Sequence, residues 1–475
     1  MVVWTFFQEL NNISMRKRIA YPALSGIALA LILSSSCQNA TNSSPDSPSK
    51  IDSTSGSKIN EDSLLTNIQQ HTFQYFWEGA EPTSGLARER IHMDGVYPQN
   101  DRNVVTIGGS GFGLMGMIVA MERGFISQDQ GVQKLDHIMD YLGKIERFKG
   151  AWAHWYDGEL GTAKPFSEKD NGGDIVETAF LAQGLIAIRE YLKDKDDSAQ
   201  LVAKKADKLW KEINWNHYTN GQNVIYWHWS PKFNFQQNHP VRGYDECLIT
   251  YILAASSPTY PIAPQVYHEG WARSGAIKSS AKKYDIPLVL KHNAKEGEVG
   301  PLFWEHYSYL GLSPKGLKDQ YADYWEATGN HAKINLAYAD LNPKGYKGYG
   351  SDKGWGWTAS YSINGYNAHH PDNDPGVISP TAALSSMPYT PHESIQFAQY
   401  LDKQLGNKVW GKYGYYDAYS ETANWYPQRY LAIDQGPIIV MIENYRTGKI
   451  WELFMQAPEI QQGLKKLGFT SPYLK

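Results

Sequence analysis

Apolar residues recur along this chain mostly at helical spacing, and the helical stretches are of two kinds. Residues 197–213 set Leu201, Val202, Leu209 and Trp210 on one face and charges on the other, the pattern of a helix with one side in water. The segments 111–119, 175–188, 247–255 and 438–442 are apolar nearly all round, inside expected helices 111–122, 174–192, 246–255 and 437–445. Such helices must be covered on every side. Further helices are expected over 64–77, 132–145, 317–328, 380–387, 391–405 and 451–456, and the best strand is 222–228. Buried inner helices ringed by amphipathic outer ones make an all-α fold, an α/α toroid with long aromatic loops at one rim.

The N-terminal pattern is different. Met15-Arg16-Lys17-Arg18 is basic, and residues 19–33 are mostly apolar but broken by Pro22 and Gly26. This is the pattern of an export signal over residues 1–37, too short and interrupted to span a membrane. Ser34-Ser35-Ser36 before Cys37 resembles a bacterial lipoprotein box, with Leu33 one residue earlier than that box places it. The resemblance implies a lipid on Cys37 and an exported protein, periplasmic or in the outer membrane of a Gram-negative bacterium. Residues 38–60 are Ser, Thr, Asn, Pro, Asp and Gly with almost nothing apolar, and read as a flexible linker. No second linker or strong repeat divides residues 61–475, which are read as one catalytic domain and as a monomer.

Composition adds two facts. A net charge of −4 gives no general attraction to nucleic acid or acidic membranes. Aromatic residues make up 13% of the chain, with 16 Trp and 32 Tyr, which suits flat, half-apolar ligands such as sugar rings.

Carboxylates gather where the buried helices begin. In Glu168-Lys169-Asp170-Asn171-Gly172-Gly173-Asp174-Ile175-Val176-Glu177, Asp174 and Glu177 have capping-box spacing, while Asp170 has no capping role. Arg242-Gly243-Tyr244-Asp245-Glu246 opens the next apolar helix, with Asp245 as its cap and Glu246 left over. Ala432-Ile433-Asp434-Gln435-Gly436-Pro437 opens another, with Pro437 expected at the first helical position. In a toroid these N-termini share a rim, so the acids converge. Glycoside hydrolysis needs one protonated carboxyl and one ionised partner. A helix N-terminus favours the ionised form, which suits Asp174 to base or structural work, and Glu246 is the candidate acid.

Aromatic stretches supply the expected cleft walls: Trp152, His154 and Trp155; Trp304, His306 and Tyr307; and Trp357. Metal chemistry finds little support, with no HExxH pair, and Pro371-Asp372-Asn373-Asp374-Pro375-Gly376 only a faint calcium loop. No metal or cofactor is expected. Gly108-Gly109-Ser110-Gly111-Phe112-Gly113 opens a helix and reads as close helix packing rather than a dinucleotide loop.

The motifs Gly172-Gly173-Asp174-Ile175-Val176-Glu177-Thr178, Tyr244-Asp245-Glu246, Ile433-Asp434-Gln435-Gly436-Pro437 and Ile442-Glu443-Asn444-Tyr445-Arg446-Thr447-Gly448 together resemble the bacterial glycoamylase-like domain, glycoside hydrolase family 144. The resemblance covers residues 61–475. It implies an (α/α)6 barrel and an inverting, metal-independent hydrolase that cuts β-1,2-glucan to sophorose or sophoro-oligosaccharides. By motif, the catalytic carboxylates correspond to Asp170, Asp174 and Glu246, with their division into acid and base left open. Substrate contacts are expected from the seven aromatic-stretch residues above and from Glu177, Arg242, Tyr244 and Asp434. The alternatives are exo-acting release of sophorose alone from chain ends, or a tethered glycan-binding lipoprotein without catalysis.

Overall fold

A computed structural model describes residues 53–474; the expected export signal, Cys37 with its expected lipid and most of the expected linker lie outside them. Helix α1 runs Ser53–Trp77, so residues 53–60, expected in the linker, are helical. Once a helix is nucleated, each added residue costs little, and polar residues ahead of the apolar segment extend it. The chain divides into two compact units after Leu64, and the second, from Leu65 onward, holds the ring of helices.

The remaining helices are α2 Ile107–Glu122, α3 Gln128–Lys144, α4 Ile175–Leu192, α5 Asp197–Lys211, α6 Leu248–Ser256, α7 Tyr324–Leu341, α8 Pro380–Ser385, α9 Pro391–Tyr400, α10 Ala432–Arg446, α11 Lys449–Met455 and α12 Pro458–Lys466. Inner and outer elements alternate. Every residue of α4, α6 and α8 is buried, as are all of α2 but its last and most of α10. Helix α2 packs between α4 and α10, α4 also meets α6, and α10 meets α8. Two short 3-10 turns, Leu302–Glu305 and Tyr307–Tyr309, fill the sixth inner position beside α6. This is the (α/α)6 toroid. The outer α3 and α5 bury one face and expose charges on the other.

Close approach of the inner helices depends on the glycine run. A Cβ at Gly111 would lie 2.3 Å from the Phe180 carbonyl oxygen, so α2 and α4 meet backbone to backbone. The run is therefore packing, as its sequence indicated.

The two ends of the ring differ. At the end where the inner helices finish, α11 and α12 fold across: Gly463 packs on Ser256, Trp451 Nε1 donates to the Tyr309 carbonyl (2.7 Å), and Lys466 Nζ donates to the Ile262 carbonyl. At the other end, short strands lead directly into inner helices. Val104–Thr106 precedes α2 and pairs with Trp155–Asp157; Gly173–Asp174 precedes α4 and pairs with His228–Trp229; Arg429–Leu431 precedes α10 and pairs with Arg90–His92. This pairing pins the N-terminal ends of three inner helices, two of which, α4 and α10, carry acids there.

Four expectations change. The strand expected over 222–228 is reduced to His228–Trp229, because Tyr226 and Trp227 donate their amides to the Tyr218 and His239 carbonyls instead. Helix α7 starts at Tyr324, not 317, because Asp319 Oδ1 takes the amides of Tyr321 and Ala322 in a tight turn that competes with helix. Helix α10 starts at Ala432, which puts Pro437 inside it, one turn beyond the expected first position. Helix α12, opened by Pro458, was not anticipated. No helix among the described residues is long and apolar enough to cross a membrane.

Candidate active site

The start of α4 organises the site. Asp174, fully buried, caps the helix through Oδ1, which accepts from the amides of Val176 (3.0 Å) and Glu177 (2.9 Å). Its Oδ2 accepts from Trp227 Nε1 and faces His154 Nδ1, both at 3.0 Å. Four partners fill the four lone-pair directions of a carboxylate. Burial by itself would raise this carboxyl, but the hydrogen bond and charge of His154 hold it below the usual range. The capping box is half made: the Asp174 amide donates to the Trp152 carbonyl, so Glu177 turns elsewhere. Glu177 Oε2 accepts from the Gly108 amide at 2.9 Å, in space that only a glycine leaves, since a Cβ there would stand 2.3 Å from that oxygen.

Asp170 arrives on a turn, its amide donating to the Ser167 carbonyl and its carbonyl accepting from the Phe166 amide, both 3.0 Å. His228 Nε2 lies against its Oδ1, off hydrogen-bond alignment, so Oδ1 has no hydrogen-bond partner. Burial, then the charge of Asp174, pushes the Asp170 carboxyl up to about 8. Burial and the Asp174 charge likewise push Glu177 up to about 7, against the opposing pull of His154. His228 is brought down to about 4 by burial, so it is neutral.

The start of α6 supplies the second group. Asp245 Oδ1 accepts from the Cys247 amide (2.9 Å), a turn ahead of the helix rather than its cap, because α6 begins at Leu248, two residues later than expected, with Cys247 at its N-cap. Glu246 is partly exposed, and burial of its carboxyl followed by the Asp245 charge drives it well above the carboxylate range. The charges of Glu177 and Asp174 also reach Glu246, so the two groups lie within electrostatic range of each other.

At α10, Asp434 is 1% exposed, and its carboxyl hydrogen-bonds the Asp417 carboxyl, with no amide, hydroxyl or ring N–H donor aligned on it. Burial and the neighbouring Asp417 hold its proton on. Asp417 accepts from the Tyr361 amide (2.7 Å), and burial pushes it up to about 6. Tyr307, buried and with an unpartnered hydroxyl, senses the charges of Asp434, Glu177 and Glu246. Tyr307 packs on Phe112 of α2 and Phe180 of α4. The adjoining Ser308 Oγ accepts from the Ile249 amide and donates to the Glu246 carbonyl, which places Tyr307 beside the start of α6 and within electrostatic reach of the acids of α4, α6 and α10.

His154, Asp170 and Asp174 bring one ligand atom each within 4.8 Å of one another, as do Asp245, Glu246 and Cys247. In the first group Asp174 has no lone pair to spare. In the second, burial raises the Cys247 thiol, so it keeps its proton and is a poor ligand. Both sets are suited to holding protons rather than ions.

Not every expected contact belongs here. Trp152 is fully buried, its Nε1 given to the Leu142 carbonyl, and Trp357 is fully buried with its Nε1 on Asp374. His306 is buried with Nε2 on Ser386 Oγ (3.0 Å). These three are core residues: glycine beside tryptophan marks tight packing here rather than an exposed loop. Trp304 is half-buried with its edge on His292, Tyr244 is buried against the same histidine, and Arg242 is exposed on the loop before Glu246. Trp155 is half-buried at the rim beside Phe166. Sequence reading missed Trp227, His228, Phe166 and Asp417. The expected strand 222–228 marked the segment of the first two but not its register with Gly173–Asp174; nothing local marked Asp417.

The geometry can be set beside known proteins. A family model described as "Putative glucoamylase" matches residues 238–458. An exo β-1,2-glucooligosaccharide sophorohydrolase (non-reducing end) of Parabacteroides distasonis is 40% identical over 427 residues, 86% of this chain, which spans 58% of that relative's length. The structure of an endo-β-1,2-glucanase from Chitinophaga pinensis, with sophorotriose and glucose, is 59% identical, with 87% of this chain and 99% of that one covered and a TM-score of 0.86. An endo-β-1,2-glucanase from Talaromyces funiculosus shares the fold at 10% identity, with 85% of this chain and 88% of that one covered and a TM-score of 0.61. Motifs, acid-headed inner helices and near-complete overlap agree, and the chain belongs to the bacterial glycoamylase-like family, glycoside hydrolase family 144.

Proposed function

We propose that this protein is an endo-acting glycoside hydrolase that cuts β-1,2-glucan to sophorose and short sophoro-oligosaccharides. The observation that carries the reading is the set of carboxyls at the starts of α4, α6 and α10, each within electrostatic reach of Tyr307, in a chain that covers 99% of an endo-β-1,2-glucanase at 59% identity.

Glu246 is the general acid: partly exposed, and kept protonated by burial and Asp245. Asp170, whose Oδ1 meets only His228 Nε2, is the base once it has lost its proton. Asp174 is the fixed ionised partner, its lone pairs already filled. Hydrolysis then moves one proton from Glu246 to the departing glycosidic oxygen and one from water to Asp170, as the water oxygen bonds to the anomeric carbon from the opposite face. The product anomer is inverted and no metal enters. The base must be ionised, so kcat/KM climbs with pH through a limb near about 8 in the substrate-free protein and falls when Glu246 loses its proton.

The test is digestion of linear β-1,2-glucan, with α-1,4 and β-1,3 glucans beside it and chelator present, separating products by size and reading the new anomer by NMR. Mixed oligosaccharides at early times, from the β-1,2 polymer alone and in α form, are expected. Sophorose alone from the outset would make the protein exo-acting, and binding without product would make it a glycan-binding lipoprotein. Export and a lipid on Cys37 belong to the same proposal, supported by Arg16-Lys17-Arg18 and the small residues before Cys37. Cys37→Ala should move the protein from the membrane to the soluble fraction; unchanged fractionation would remove the anchor.

A further inference from the structure

His154 stands between two carboxylates. Its Nδ1 lies 3.0 Å from Asp174 Oδ2 and its Nε2 3.9 Å from Glu177 Oε1. A neutral imidazole has one N–H and would turn a lone pair towards one of them; only the imidazolium presents N–H to both. The backbone allows no retreat, because the His154 carbonyl accepts from the Ile107 amide (3.2 Å) and the adjoining Trp155–Asp157 strand is paired on both edges. Phe166 closes the ring face, stacked at 4.4 Å and 24°, with Trp155 edge-on to Phe166 at 4.8 Å. An aromatic face over a cation favours the charged form. The same turn that carries Phe166 carries Asp170.

We propose that His154 is a positioning residue for the reaction: a fixed imidazolium, clamped by Phe166, that keeps Asp174 ionised and thereby sets where Asp170 exchanges its proton. The groups facing it are Asp174 and Glu177 of α4, Asp170 on its turn and His228 on the paired strand, with Glu89 on the far side of Glu177. Of these, His228 is neutral and the rest are carboxyls. Burial works against the imidazolium, yet the Glu177 and Asp174 carboxylates raise His154 to about 10. Taking the charge away leaves the carboxyls with no cation, and their protons come off at higher pH. Phe166 acts through His154, by excluding water from one face.

This inference rests on the hydrolase reading, so its test includes a measurement that needs no substrate. NMR titration of the histidine ring signals in the full chain, assigned with His154→Gln, should show His154 charged at pH 7 and still charged near pH 8. A neutral ring at pH 7 overturns the proposal, whether or not the protein cleaves glucan. In activity profiles on β-1,2-glucan, H154Q should move the rising limb up by about one pH unit and lower kcat about tenfold or more, with KM nearly unchanged. Phe166→Leu should shift the limb in the same direction by less. A rise in KM with the limb unmoved in both variants would make the pair a sugar platform and overturn the proposal. If H154Q fails to fold, F166L and the wild-type ring titration decide.

Discussion

Asp374 and Asp434 are both buried carboxylates among tyrosines and tryptophans, and they are treated in opposite ways. Asp374 Oδ1 accepts from Tyr349 Oη (2.8 Å), Trp357 Nε1 (3.1 Å) and the Gly376 amide (2.8 Å), and Oδ2 from Tyr338 Oη (3.0 Å). Its segment was the faint calcium loop of the sequence, and the protein's own donors occupy the oxygens an ion would need. Asp434 has only a second carboxyl, Asp417, as its hydrogen-bond partner, and no tyrosine, tryptophan or backbone donor is aligned on it. Leaving buried polar atoms unpaired is costly, so a saturated carboxylate marks structure and an unsaturated one marks a site waiting for a ligand. By that measure Asp170, which meets only His228, and Asp434, which meets only Asp417, fall on the side of the proposed function, while Asp374 and, within the site, Asp174 hold shape and charge.

The strongest way to break this division is at the working carboxyls. Glu246→Gln and Asp170→Asn should each cut the rate by roughly 10²–10⁴ with thermal unfolding close to the parent's. Either variant with near-normal turnover removes that residue from the acid–base pair. The saturated side should answer in the other currency. Asp374→Asn puts an amide N–H among donors and leaves at least one of Tyr338, Tyr349 or Trp357 without an acceptor, a loss of about 1–3 kcal/mol of stability. Turnover of the folded protein should stay near the parent's. Calorimetry paired with glucan digestion separates these outcomes, and an Asp374→Asn variant that is stable but inactive would collapse the distinction.

Much of this division is legible in the chain, for a physical reason. A cap followed by an apolar run is a local signal, so Asp174 and the surplus acids Asp170 and Glu246 stand out in the sequence alone. An α/α toroid followed from helices with no polar face, and its (α/α)6 count from the family resemblance. Partnership is not local. His228 reaches Asp170 only because Gly173–Asp174 pairs with His228–Trp229, and Asp417 meets Asp434 only because Arg429–Leu431 returns to the rim. Neither register has a signature in neighbouring residues. Trp152 and Trp357 were assigned to the cleft for the same reason. Their sequences fix that they are large and flanked by small residues, whereas the side they face is decided by Leu142 and Asp374, which are brought near by the fold.

The smallest effect is also the most specific to the unsaturated side. Burial first, and then Asp417, raises the Asp434 carboxyl in the folded protein above its unfolded value. A carboxyl raised in this way binds its proton more tightly when folded. It favours the folded state fully below the unfolded value of about 3.9, and that contribution is lost as pH rises towards the folded value. Asp434→Asn removes this dependence and presents a neutral group of the same shape. Relative to the parent, the variant should therefore gain thermal stability between pH 4 and pH 8. Unfolding curves of the two proteins at both pH values provide the check. A stability difference between Asp434→Asn and the parent that does not move with pH would mean that Asp434 is ionised in the folded protein, with a cation or donor serving it as Tyr338, Tyr349 and Trp357 serve Asp374.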